Sequence, residues 1–95
     1  MNNKERDINI LERIIRYCSE ISLTHERFGN SFIQFNEDFI YRNAIAMCIL
    51  QIGELSNQLS DQLKESFNEI PWHAIKGLRN FVAHQYGMLI KNYYG

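Results

Sequence analysis

Near the end of the chain, eight residues, Arg79-Asn80-Phe81-Val82-Ala83-His84-Gln85-Tyr86, gather a guanidinium, an amide, an imidazole and a phenol. A histidine titrates near neutrality and can exchange a proton with a hydroxyl. An arginine presents a planar fork to a phosphate and stabilises negative charge developing on it. An asparagine can orient either group or contact a ribose. Together these types suit attack by an RNA 2′-hydroxyl on its neighbouring phosphate, a reaction that calls for no metal and no cofactor.

Spacing alone does not make this a site. Each helical residue turns about 100°, so Asn80 and His84, four apart, share a face, and Arg79 and Tyr86, seven apart, share another. Arg79 and His84 lie roughly 140° apart on an uninterrupted helix. They converge only if the helix breaks after Ala83, if the long arginine swings round, or if a second copy of the chain completes the cleft. By spacing alone the simpler account is structural, because arginine and histidine near a helix C-terminus interact favourably with its dipole and last carbonyls.

The elements that position these residues are helical. Ile8, Leu11, Ile14, Ile15, Cys18 and Ile21 recur at three- and four-residue steps, which predicts a helix from about Lys4 to Arg27 that Gly29-Asn30 ends. Phe32 and Phe35 anchor a connector with room for one short helical turn. Asn36 is placed to cap a second long helix, from about Glu37 to Leu63, with Glu37 and Asp38 in its first turn. Its middle, Ala44 to Leu50, is apolar on nearly every side, so this is the expected central helix. Gly53 costs about 1 kcal/mol relative to alanine there, and close approach of another helix is a reason to keep it. Pro71 suits the first position of a third helix, about Pro71 to Gln85, with Trp72, Ile75, Leu78 and Val82 facing the core and Gly87 closing it. A short apolar-aromatic tail follows. The expected fold is all-α: two long antiparallel helices plus shorter ones in a bundle.

Whole-chain properties narrow the function classes. The 95 residues predict one domain over 1–95, with a formal net charge of −1. Bulk electrostatics therefore announces neither a nucleic-acid nor a membrane binder, and an anion site must be built locally. Cys18 and Cys48 fit no metal-ligand spacing and read as buried thiols in a reducing, cytoplasmic compartment, in preference to a disulfide. The polar opening, MNNKERD, has no signal-peptide character, and no apolar run approaches the roughly 20 residues that span a bilayer.

The segment Ile70 to Gly87, "IPWHAIKGLRNFVAHQYG", resembles the signature of the HepT-like branch of the HEPN superfamily: Ile-Pro-Trp, a short gap, Arg-Asn, then His-x-Tyr with four residues between Arg and His. Every one of those positions is matched. Upstream, Gln51 to Leu55, "QIGEL", resembles the family's segment on its long central helix. The resemblance covers about Asn3 to Gly87. It implies a HEPN-type bundle and a metal-independent ribonuclease toxin acting as a homodimer, with the Arg and His of both protomers at a shared cleft. It also implies a small nucleotidyltransferase antitoxin of the MntA type, which neutralises the toxin by adenylylating the tyrosine. Carried over, Arg79 binds the phosphate and stabilises the transition state, and His84 is the general acid/base. Asn80 organises the site, and Tyr86 accepts the nucleotidyl group. Relatives usually continue into a further helix, so this chain is expected to be C-terminally shortened, with an exposed apolar surface that favours dimerisation.

Other residues carry blander readings. Glu54, inside the family-like segment, is open to a site-supporting role or to a solvated contact. Trp72 reads as a core anchor. His25 and His73 read as surface residues. Lys76 and Lys91 can add cations around the cleft or belong to a solvated face, and Tyr93 and Tyr94 read as a free terminus. The rival functional reading is a non-catalytic helical binding module that partners a nucleotidyltransferase, for which the acidic isoelectric point speaks.

Overall fold

The computed structural model describes residues 2–87. The predicted tail, with Lys91, Tyr93 and Tyr94, lies outside them. Among the described residues all regular structure is helical, in the order α1 (Asn3–Arg27), α2 (Phe32–Glu37), α3 (Phe39–Gln58), α4 (Asp61–Ser66) and α5 (Trp72–Gln85). The all-α bundle expected from the hydrophobic period is what forms.

The central helix is α3, packed against both α1 and α5. It runs antiparallel to α1. Near one end Arg6 donates to the Gln58 carbonyl at 2.6 Å, and at the other His25 bonds the Tyr41 hydroxyl. It also runs antiparallel to α5, since Asn43 meets Tyr86 and Glu54 meets Arg79. One apolar cluster joins Ala46 and Leu50 of α3 to Val82 and Ala83 of α5. The other joins Ile10 of α1 to Leu55 and Leu59, with Trp72 packed against it. Leu55 is 2% exposed, and burying such a side chain contributes about 1.5–3 kcal/mol.

Helix ends follow local chemistry. Asn2 and Ser31 cap α1 and α2 with side-chain acceptors. Gly29 (φ 74°) and Asn30 (φ 54°) take the left-handed conformation just past α1 and stop it as expected. The cap of α3 is a correction. Asn36 lies inside α2, and Asp38 is the N-cap, accepting from the backbone N–H groups of Ile40 and Tyr41. The second long helix also ends early. Leu59 and Ser60 are extended, and Ser60 caps the separate helix α4 through Leu63 N–H at 3.2 Å. Because Leu55, Leu59 and Leu63 keep a four-residue step across the break, periodicity did not reveal it. Pro71 sits at the cap position, and α5 starts one residue later than expected.

Several expected core residues face out. Ile8, Ile15, Phe32 and Leu78 are among the exposed large apolar side chains. The true inward face of α1 runs through Asp7, Ile10, Ile14, Tyr17 and Ile21. Cys48 is buried as expected, but Cys18 is exposed, because it lies one residue beyond the Ile14–Tyr17–Ile21 line. His25, expected at the surface, is partly buried and bonded to Tyr41, whose ring also stacks on Phe28 at 4.5 Å and meets Phe35 edge-on.

Candidate functional site

Helix α5 carries Arg79, Asn80 and His84, with Tyr86 at its C-cap, and its packing on α3 sorts the four into two groups. Trp72 anchors its start: the indole N–H donates to the Phe67 carbonyl at 3.1 Å and to the Lys64 carbonyl at 3.3 Å. Val82 and Ala83 bury the last turns against Ala46 and Leu50. With those faces fixed, the 100° step places Arg79 and Tyr86 toward α3 and turns Asn80 and His84 to solvent.

Arg79 lies in the cleft between α3 and α5. Its side chain is only 13% exposed, and its Nη2 forms an ion pair with Oε1 of Glu54. Its Nη1 donates to Asn80 Oδ1 at 3.1 Å. Its Nε is buried with no hydrogen-bond partner among the described residues. Beneath it lies Gly53, where a methyl group would collide with Cβ and Cγ of Arg79. The close helix approach expected at this glycine is therefore real, and the arginine stem is what passes over it.

Asn80 and His84 are both exposed, one turn apart on one face, as the spacing required. The His84 imidazole has no hydrogen-bond or ion-pair partner among the described residues. Tyr86 follows the last helical residue, is 44% exposed, and donates its phenol proton to Asn43 Oδ1 at 2.7 Å. That bond ties the end of α5 to the first turns of α3. Sequence reasoning missed Asn43, whose only signal was a polar residue near the start of an apolar helix.

The expected break after Ala83 does not occur. The helix runs unbroken through Gln85, held by Tyr86 N–H to the Val82 carbonyl and Gly87 N–H to the His84 carbonyl. Nor does Arg79 swing toward His84; it turns to Glu54. Within one chain the guanidinium and the imidazole stay on different faces. Among the described residues no group of three or more His, Cys, Asp or Glu is placed to hold a metal ion.

The last described helix and its cap thus carry Arg-Asn and His-x-Tyr above a central Gly-Glu. A family model described as "Ribonuclease HepT-like" matches residues 8–90, and the chain belongs to this HepT-like family. Two curated relatives agree. The chain is 32% identical over 67 residues to "Putative RNase MJ1380" of Methanocaldococcus jannaschii, covering 61% of this chain and 62% of that protein. It is 30% identical over 76 residues to "Putative RNase TTE0752" of Caldanaerobacter subterraneus subsp. tengcongensis, covering 80% and 66%. In both cases less than two thirds of the relative's length is spanned. No solved structure matches the chain. No helix among the described residues is long and apolar enough to cross a membrane.

Proposed function

We propose that this protein is a metal-independent endoribonuclease in which His84 moves the proton and Arg79 binds the phosphate. Membership of a family described as ribonuclease carries the reading, and the exposed imidazole of His84, with no partner among the described residues, supports it. In the proposed reaction His84 takes the proton of an RNA 2′-hydroxyl. The 2′-oxygen then bonds to the adjacent phosphorus as the bond to the 5′-oxygen breaks, leaving a 2′,3′-cyclic phosphate and a 5′-hydroxyl. The departing oxygen needs a proton, and a second copy of the chain would bring a second, protonated His84 to give it. Arg79, oriented by Asn80, stabilises the charge that builds on the phosphoryl oxygens.

A homodimer is part of this proposal, because Arg79 and His84 of one chain face different ways. Exposed Phe81, about 60° from His84 around α5, supports an apolar contact there. We place the protein in the cytoplasm as the toxin of a toxin–antitoxin pair. Its partner is an MntA-like nucleotidyltransferase antitoxin that adenylylates Tyr86. The phenol is half-exposed, and AMP on it would break the bond to Asn43 and add bulk and negative charge beside the RNA cleft.

The experiment is expression of the chain alone and together with such a nucleotidyltransferase. Growth arrest is expected alone, with loss of arrest in Arg79→Ala and an AMP mass increment on Tyr86 in the co-expressed protein. Normal growth with wild type, and no increment on Tyr86, would contradict the proposal.

A further inference from the structure

We propose that Glu54 is a positioning residue for Arg79: it fixes the guanidinium so that the donors left free meet the RNA phosphate in one orientation. The inference rests on the ribonuclease reading above. Four observations carry it. The arginine side chain is 13% exposed, so its charge is largely out of water and needs a nearby counter-charge. Glu54 supplies that charge at Nη2, while Asn80 Oδ1 accepts from Nη1 at 3.1 Å. Nε is buried and has no partner among the described residues, so the fork is gripped at its two outer nitrogens and not along the stem. Gly53, next to Glu54 in sequence, lets the stem cross α3 at a distance that any side chain would forbid.

Gly53 and Glu54 thus perform one task between them. The glycine admits the arginine into the helix cleft and the glutamate stops it turning there. A guanidinium has five N–H donors in a fixed fork. Holding one at each outer nitrogen leaves a second on each, aimed by the same clamp. Glu54 is itself 46% exposed at its side chain, so its carboxylate reaches the rim where RNA arrives. A carboxylate there repels phosphate. The clamp therefore trades some RNA affinity for orientation, and that trade separates positioning from ordinary structural support.

The test compares wild type, Glu54→Ala and Glu54→Gln on a short single-stranded RNA, with folding checked by circular dichroism melting. Glu54→Ala is expected to lower kcat by about 10- to 100-fold, the scale of a misplaced catalytic group, while KM stays level or falls because the repelling charge has gone. Glu54→Gln keeps an oxygen that accepts from the guanidinium and is expected to restore most of kcat. A Glu54→Ala kcat within twofold of wild type overturns the inference, and so does Glu54→Gln being as slow as Glu54→Ala. If Glu54→Ala does not fold, the Glu54→Gln result decides. Wild type that does not cleave at all sinks the ribonuclease reading instead. The clamp is then read by NMR from the Arg79 guanidinium N–H signals, which are slow to exchange in wild type and fast in Glu54→Ala if Glu54 holds them. Equal exchange in both ends the inference.

Discussion

The carboxylate of Asp7 on α1 grips Ser60, 53 residues further along, accepting from its backbone N–H at 3.0 Å and its hydroxyl at 2.6 Å. Ser60 in turn caps α4, so one buried acid joins the start of α1 to the break after α3. The Ser60 hydroxyl, and after it the Ser60 N–H, hold the Asp7 carboxyl below the usual carboxylate range, with a smaller contribution from Arg6. A carboxyl with a depressed folded pKa adds stability that is complete above its unfolded pKa, about 4, and is lost as pH falls through the lower folded value. Asp7→Asn is therefore expected to melt below wild type at pH 7, with the gap closing as the pH drops below about 4. Melting curves from pH 7 down to pH 2 check this, and a gap that stays constant with pH would contradict it.

Two glycines give a paired prediction. A Cβ at Gly53 collides with Arg79, whereas one at Gly77 meets nothing within 4 Å. Gly53→Ala is expected to destabilise the fold by about 1–3 kcal/mol, the usual cost of overpacking. Gly77→Ala, in the interior of α5, is expected to stabilise it by about 0.5–1 kcal/mol. Urea unfolding of the two variants measures both, and equal effects would mean that α3 and α5 do not approach at Gly53.

The two thiols should separate cleanly. Cys18 is exposed, while Cys48 is buried, and burial pushes its thiol pKa up, with Glu20 and Cys18 adding to the rise. A thiolate is the reacting species. One thiol per folded chain is therefore expected to react promptly with a disulfide reagent at pH 8, and Cys18→Ser is expected to abolish that fast phase. Two fast thiols in the folded protein would contradict the packing of α3.

The bundle and the motif were legible in sequence because both depend on residue type at helical spacing. Ala44 to Leu50 announced the central helix, and Asn80 and His84 had to share a face once α5 was a helix. The direction of Arg79 was not legible. Its turn toward Glu54 depends on Val82 and Ala83 fixing the rotation of α5, and on Gly53 opening the cleft below it. The face of α1 was misjudged because Asp7 reads as solvent-exposed until Ser60 satisfies it, which shifts the inward stripe away from Ile8 and Ile15. The Tyr86–Asn43 bond joins residues 43 apart and leaves no local pattern.

In the proposed function His84 drives RNA cleavage without a metal. Purified wild type and His84→Ala, incubated with RNA at neutral pH in the presence of a chelator, test it most directly. Wild type is expected to cleave to 2′,3′-cyclic phosphate and 5′-hydroxyl ends, and a folded His84→Ala to do so at a rate about 10²- to 10⁴-fold lower, the usual contribution of a general acid/base. Equal rates for the two proteins, or wild-type cleavage that vanishes with chelator, would contradict it.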